Sequence, residues 1–560
     1  MCARIRIVPI AAAIATVFTT TLAARQTETD LSARVDSVFE RFGVAHSPGA
    51  AVLVVREGEV LFRKGYGQAN IEHEVPITPA TVFDIASVSK QFAGFAIATL
   101  VEQGLIGMDD DIRKHLPELP DYGETITVDH LVHHTSGIRD WPGTLAVAGW
   151  RMDDVISFDQ ILTMAQHQQD LNFTPGAEYS YSNTGYNILA SLVERVTGRT
   201  FRQWTDENIF QPLGMTDTHF HDDHAEIVPN RARGYQSADG GHRNAPNGLT
   251  ALGSSSLFTS ADDLAKWVMN FDDGRVGGKA VIDRMRQQGV LNDGERIAYA
   301  FCQSVGEYRG IETWTHSGSW AGFRTVLLRV PEYRFGVVIL SNAGNYNPGG
   351  AARALTDIFL EQSLEPRGGE GDSEQQDADG EVTVPRNLLE DYVGTYRLGP
   401  GWLVTITRDG DQLMTQATNE DRFPMNAVSQ LEFFVSGYGA SLTFGRNASG
   451  DVDHATYRGI RAPRVEPYTP TPTELAEYEG EFYSEELATS YWLSVREGGL
   501  VANHRRHGDI RLTPSLRDEF RGDRWFFQGV EFDRDANGAV TGLRISNGRS
   551  RNLQFKAIER

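Results

Sequence analysis

The sequence predicts an α+β domain, an antiparallel sheet with helices, followed by two small antiparallel β-barrels. Three observations carry this. Strand-like apolar runs sit at both ends of the segment up to Leu364 with helical patterns between them, so the two ends close one sheet around a helical insertion. Residues 365–384 are acidic, glycine-rich and nearly free of apolar side chains, which marks a linker. Beyond the linker the sequence repeats: Leu389, Tyr392, Gly394 and Tyr396 recur as Leu475, Tyr478, Gly480 and Phe482, and Phe444, Arg446 and Gly450 recur as Phe532, Arg534 and Gly538.

A chain of 560 residues exceeds what one hydrophobic core organises, and 40% hydrophobic residues provide material for several. The net charge of −23 argues against a nucleic-acid partner, whose phosphates demand a basic surface. Arg4 and Arg6 precede an apolar stretch from Ile7 to Val17, and small residues follow at Thr21, Ala23 and Ala24. Residues 1–24 therefore read as a secretory signal peptide, too short in its apolar part for a membrane span. The mature chain is expected to be exported, periplasmic or secreted, with no membrane span. Cys302 is then its only cysteine, which excludes an internal disulfide.

From residue 25 to 364 the elements follow in order. Leu31 to Phe42 has a helical pattern, and Ala50 to Val55 with Glu59 to Arg63 reads as a hairpin turning at Glu57-Gly58. A buried helix is expected after Phe83, because the run through Phe92, Phe95, Ile97 and Leu100 is apolar all round. Helical patterns recur at Val128 to His133, Phe158 to Gln166, Tyr186 to Val196, Phe201 to Phe210, Ala261 to Met269 and Ala351 to Leu364. Strands are expected at Arg296 to Ser304, Thr325 to Val330 and Phe335 to Leu340. In the repeats, 385–467 and 468–560, short alternating runs such as Trp402 to Thr407 and Tyr491 to Val495 are separated by turns at Asp409-Gly410 and Glu497-Gly498-Gly499. Closure into barrels removes the exposed edges that such strands would otherwise leave. The linker implies that a fragment ending near residue 366 folds on its own.

Three clusters carry chemistry. Ser87 and Lys90 lie three residues apart where the buried helix begins, so on a helix they share one face. A lysine held there loses solvation, its pKa falls, and a neutral amine beside a hydroxyl is a base beside a nucleophile. An N-cap serine followed by an incidental lysine explains the same pair. Tyr181 and Asn183 sit on a loop entering a helix, where a tyrosine can shuttle protons and an asparagine can bond both a lysine and a substrate amide; a polar capped turn is the bland reading. His316-Ser317-Gly318-Ser319 precedes a strand, and Gly318 would let a substrate approach an edge backbone closely. His316 can donate to a carboxylate or an oxyanion, although a solitary histidine is more often structural.

Together these clusters resemble the serine β-lactamase and penicillin-binding-protein superfamily, in the branch of class C β-lactamases, D-aminopeptidases and related esterases. The resemblance rests on Ser87-Val88-Ser89-Lys90, Tyr181-Ser182-Asn183 and His316-Ser317-Gly318 in the family's order. Pro48-Gly49, Leu131-Val132-His133-His134-Thr135-Ser136-Gly137, Gly253-Ser254-Ser255-Ser256-Leu257 and Ser341-Asn342 support it. It covers about residues 30 to 364 and implies a β-lactamase/transpeptidase-like catalytic domain. By the same resemblance Ser87 is the nucleophile and Lys90 its activating partner. Tyr181 relays protons, Asn183 orients lysine and substrate, and the backbone N–H groups of Ser87 and Ser319 beside Gly318 form the oxyanion hole. Lys90 and Tyr181 remain alternative bases for acylation.

Where many lactamases have Lys-Thr-Gly, this chain has His316-Ser317-Gly318, which weakens the case for reading a substrate carboxylate and resembles the D-aminopeptidase branch. That branch also carries two β-barrels, which implies that a loop of the second barrel reaches the site and reads a free amine, with Asp509, Asp518, Glu519 and Asp523 as acidic candidates. His219, His221 and His224 have metal-like spacing but read better as a polar loop, so neither metal nor cofactor is expected. Gly-x-Ser-x-Gly is absent, which removes the α/β-hydrolase alternative. The expected activity is that of an exported serine hydrolase acting through an acyl-enzyme on small peptides or amides with D-residues. A carboxylesterase, a weak β-lactamase, or a non-catalytic binding or scaffold protein are the alternatives.

Overall fold

A computed structural model of the chain describes residues 30–366, 384–418 and 420–558. Residues 1–24, expected to be a signal peptide, and most of the expected linker at 365–384 lie outside the described residues. The first domain is organised on one eight-stranded antiparallel sheet. In chain order its strands are β1 (Ala50–Arg56), β2 (Glu59–Tyr66), β3 (Gln288–Val290), β4 (Arg296–Ala300), β5 (Gln303–Tyr308), β6 (Ile311–Trp320), β7 (Phe323–Val330) and β8 (Phe335–Ser341). Across the sheet the order is β3-β4-β5-β6-β7-β8-β1-β2, so the segment's early and late strands meet at β1 and β8. The run predicted as one strand at Arg296 to Ser304 is a hairpin, broken at Cys302, whose φ of 62 is left-handed.

Both faces of the central strands are buried, which explains why β1 is a continuous apolar run rather than an alternating one. Ala51, Leu53 and Val55 pack on one face with helices α1 (Lys90–Glu102), α3 (Asn183–Thr197) and α4 (Ala261–Asp273); α2 (Trp141–Val147) lies beside α3 in the chain's helical insertion. Ala50, Val52 and Val54 pack on the other face with a helix over 30–38 and with α5 (Pro348–Phe359). The sheet is thus sandwiched, and the insertion between β2 and β3 builds the helical half.

Each repeat is a closed eight-stranded barrel. The first closes by pairing Thr395 with Val465, and the second by pairing Phe482 with Ala557. The repeated residues do the same job in each barrel core: at or just after a short helix, Tyr392 lies flat on Phe444 at 4.2 Å and Tyr478 packs against Phe532 at 4.5 Å. Arg446 and Arg534 lie over those tyrosines, and each donates to the turn carbonyl of Gly450 or Gly538.

The second barrel is docked on the first domain. Ala146 and Val147 of α2 belong to the barrel's own apolar core, and Tyr491 donates to the Val147 carbonyl at 2.9 Å. Arg139, fully buried, pairs with buried Glu486 and donates to the carbonyls of Arg551 and Asn552. The barrels also touch each other, with Arg397 bonded to Glu519 at 2.6 Å. Among the described residues no helix is long and apolar enough to cross a membrane.

Candidate active site

Ser87 sits in a single 3₁₀ turn, Ala86–Ser89, and Lys90 opens α1 immediately after it. The turn is strained and pinned. Ala86 has a φ of 49, a left-handed value uncommon for a residue with a side chain, and its N–H donates to Asp84 Oδ1 at 2.8 Å. Asp84 is fully buried and held by Asn247. The Ile85 carbonyl accepts from Thr325 Oγ1 on β7, which ties the turn to the sheet.

Lys90 is fully buried, with Nζ 3.2 Å from Ser87 Oγ, 2.7 Å from Asn183 Oδ1 and 2.8 Å from the Ser254 carbonyl. A neutral amine has two N–H groups and one lone pair. Asn183 and Ser254 accept the two hydrogens, which leaves the lone pair for Ser87. Burial pushes the Lys90 pKa down to about 7, with Asp140 opposing the shift and Arg549 adding to it. Lys90 Nζ also lies 4.8 Å from the Tyr181 ring centroid.

Asn183 is the first residue of α3, behind the Ser182 cap. Its amide orientation follows from its bonds: Nδ2 donates to both oxygens of buried Asp140, at 3.0 and 3.1 Å, so Oδ1 must face Lys90. Tyr181 has its hydroxyl within hydrogen-bonding reach of Ser87, and burial raises its pKa, so it is a phenol, able to donate and relay. The two candidate bases therefore separate. Lys90 is shifted toward the neutral amine, and Tyr181 away from the phenolate.

His316 lies on β6, buried, with its pKa pushed down to about 3 by burial and by Lys90. Its partners fix its tautomer. The Ser182 N–H donates to His134 Nδ1 at 3.1 Å, so His134 Nε2 carries a hydrogen and donates to Tyr299 Oη at 3.2 Å. Tyr299 in turn donates to His316 Nε2 at 3.3 Å, and His316 Nδ1 donates to the Ser317 carbonyl at 2.8 Å. His316 is thus a neutral imidazole held by a polar chain, not a cation.

Strand β6 is interior to the sheet, but its pairing with β5 ends at Thr315. Residues 316–320 consequently keep one free backbone edge, and that edge borders the cleft. Gly318 has a reason other than substrate access. A Cβ there would meet the Ile85 carbonyl oxygen at 2.1 Å and Thr325 Oγ1 at 2.3 Å, so glycine lets the serine-bearing turn press against the strand. Ser87, Tyr181, Asn183, His316 and Ser319 all line one cavity of about 390 Å³, walled by Trp141, Tyr179, Tyr299 and Trp320.

Several participants escaped sequence reasoning. Ser254 was within a noted segment, but only the fold shows its carbonyl on Lys90. His134 lies in the Leu131–Gly137 segment and Tyr299 in an expected strand, but only the fold brings them together, 3.2 Å apart. Arg549, in the turn between β9 (Val540–Asn547) and β10 (Ser550–Ala557) of the second barrel, lines the cavity and bonds Asp140 at 3.3 Å. The four acidic candidates of that barrel lie elsewhere. Asp509 bonds Arg496 and Asn503, Asp518 bonds Tyr478 and Arg534, Glu519 bonds Arg397 at the barrel interface, and Asp523 lies beside Arg524. His219, His221 and Glu226 bring potential ligand atoms within 4.8 Å, without His224, but Arg202 already holds both Glu226 oxygens.

The chain belongs to the Beta-lactamase family, whose model matches residues 35–361. That family places it in the β-lactamase and penicillin-binding-protein superfamily. A second model, a domain of unknown function (DUF3471), matches residues 378–467, the first barrel. The chain is 29% identical over 313 residues to a D-aminopeptidase of Gluconobacter oxydans (strain 621H), a match spanning 56% of this chain and 58% of that protein. It is 26% identical over 431 residues to Penicillin-binding protein 4* of Bacillus subtilis (strain 168), spanning 73% and 93%. The octameric penicillin-binding protein homologue from Pyrococcus abyssi shares the fold, with a TM-score of 0.54 at 21% identity over 85% of this chain and 98% of that one.

Proposed function

We propose that this chain is an exported serine hydrolase that forms an acyl-enzyme at Ser87 and cleaves amide or peptide bonds beside a D-residue. The carrying observation is the Ser87–Lys90 pair, 3.2 Å apart, with the two N–H groups of the neutral amine already bonded to Asn183 and Ser254. In this reading Lys90 Nζ takes the proton of Ser87 Oγ as the oxygen attacks the carbonyl carbon. The negative oxygen of the tetrahedral intermediate is met by the backbone N–H groups of Ser87 and Ser319. The proton then passes through Tyr181 to the departing amine, and water enters against the same base to release the acid. Asn183 and Asp140 hold Lys90 in place throughout, and the His134–Tyr299–His316 chain keeps the far wall neutral.

Substrate class rests on the D-aminopeptidase likeness and on His316, neutral where many lactamases place a lysine. A carboxylesterase or weak β-lactamase would use the same steps. A fluorophosphonate probe with peptide mapping tests the chemistry: labelling is expected at Ser87 and lost in Ser87→Ala, and an unlabelled Ser87 in folded protein leaves the binding or scaffold alternative. Comparing D-alanyl and L-alanyl p-nitroanilides, a short acyl ester and a cephalosporin tests the substrate. Equal rates on the two alanyl compounds would sink the D-residue assignment.

A further inference from the structure

Among the described residues lining the site, the one from outside the first domain is a cation. Arg549 stands at the tip of the β9–β10 hairpin, and that tip is fixed at several points. The Arg549 carbonyl accepts from the Asp140 N–H at 3.1 Å and from Asn172 Nδ2 at 2.9 Å, and Ser550 Oγ donates to the Asp140 carbonyl at 3.0 Å. Such anchoring aims a side chain at a defined place. The guanidinium lies over the Tyr181 ring at 4.8 Å and gives one hydrogen bond to Asp140 Oδ2.

Asp140 pairs with this cation through a single oxygen, at 3.3 Å, and does not enclose the guanidinium. Its two oxygens also accept the Asn183 N–H at 2.7 Å and both Asn183 Nδ2 bonds. The Arg549 side chain is 52% exposed and lines the cavity, so donors not used on Asp140 remain accessible there. Among the described residues lining that cavity none is Asp or Glu, and His316 is neutral. A substrate ammonium would find no carboxylate here. A substrate carboxylate would find a preorganised guanidinium, the side chain whose planar fork matches it.

We propose that Arg549 is a specificity-determining residue that binds a carboxylate of the substrate, supplied to the site by the second barrel. The proposal rests on the Ser87 reading above and departs from the aminopeptidase likeness in one respect: the bond cleaved lies near an acidic end of the substrate, not near a free amine. Arg549 thereby restores, from another domain, the cation that His316 does not provide.

The test separates this from the chemistry beneath it. In full-length Ser87→Ala protein, calorimetry would measure binding of three matched D-residue dipeptides: N-acylated with a free carboxylate, N-acylated with a terminal carboxamide, and carboxamide with a free amine. The carboxylate compound is expected to bind about tenfold or more tighter than either other. Adding Arg549→Gln should collapse that ratio to about one, and Arg549→Lys should recover part of it, as a point charge without the fork does. Equal binding of the three compounds, tightest binding of the free amine, or a ratio that survives Arg549→Gln would each overturn the proposal and leave Arg549 as a counter-ion of Asp140. Failure of the Ser87 reading shows separately, as absent fluorophosphonate labelling of the unmutated chain.

Discussion

At the scale of the residue, burial denies Lys90 water and lowers its pKa, which is what the proposed chemistry needs. Removing that amine, as in Lys90→Met, should lower acylation by roughly 10²–10⁴-fold, the range for a positioned general base, measured as the rate of probe labelling at Ser87. The pH dependence follows in sign from the depressed pKa. The base is competent only when neutral, so labelling should be slow below about 7, rise through that value and level off above it. A rise displaced to about 10 would mean that Lys90 is ordinarily solvated. Tyr299→Phe makes a different point, since it removes the hydroxyl between His134 Nε2 and His316 Nε2 and leaves two buried ring nitrogens unpaired. A loss of about 1–3 kcal/mol per unsatisfied group is expected in denaturant unfolding. The Ser87–Lys90 pair was readable because both members lie within one helical turn. The His134–Tyr299–His316 chain was not, because His134 lies 165 residues from Tyr299 and Tyr299 meets His316 on a different strand of the sheet.

At the scale of the element, the decisive feature is how the turn at Ala86–Ser89 meets strand β6. Gly318→Ala would drive a methyl group into the Ile85 carbonyl, a backbone atom that cannot move aside cheaply. Overpacking of this kind costs about 1–3 kcal/mol, and here it also shifts the turn bearing Ser87. A drop in melting temperature together with a slower labelling rate is expected; unchanged labelling would show that turn and strand are not coupled. The sequence marked Gly318 as a close approach but could not say of what. The free edge at 316–320 was equally hidden, because it depends on where β5 stops pairing, and register across a hairpin is a tertiary fact.

At the scale of the whole molecule, the second barrel is part of the site and not an appendage. Ala146 and Val147 lie in its core, and Arg139 and Glu486 form a buried pair across the junction. A chain cut at residue 366 should therefore expose apolar surface, lose the Asp140 contact from Arg549 and fail to match the full chain in stability and labelling. Equal behaviour of fragment and full chain would show the junction to be dispensable. Arg139→Met alone should cost about 3–5 kcal/mol by leaving Glu486 buried and unpaired, whereas Arg139→Met with Glu486→Leu should cost far less. The sequence by itself determined most of the parts: strands β1, β2, β7 and β8 and the longer helices from their periodicity, though not β3, β6 or α2, the two barrels from their repeated Leu, Tyr, Gly and Phe positions, and the Ser, Lys, Tyr, Asn and His motifs from local spacing. Only the tertiary structure decided how the parts meet, which put Ser254, Tyr299 and Arg549 at the site and kept Asp509, Asp518, Glu519 and Asp523 away from it. The reason is physical. Local pattern reports the burial and backbone preference of a segment, whereas charge, pKa and recognition depend on which distant side chains share a small, dry space.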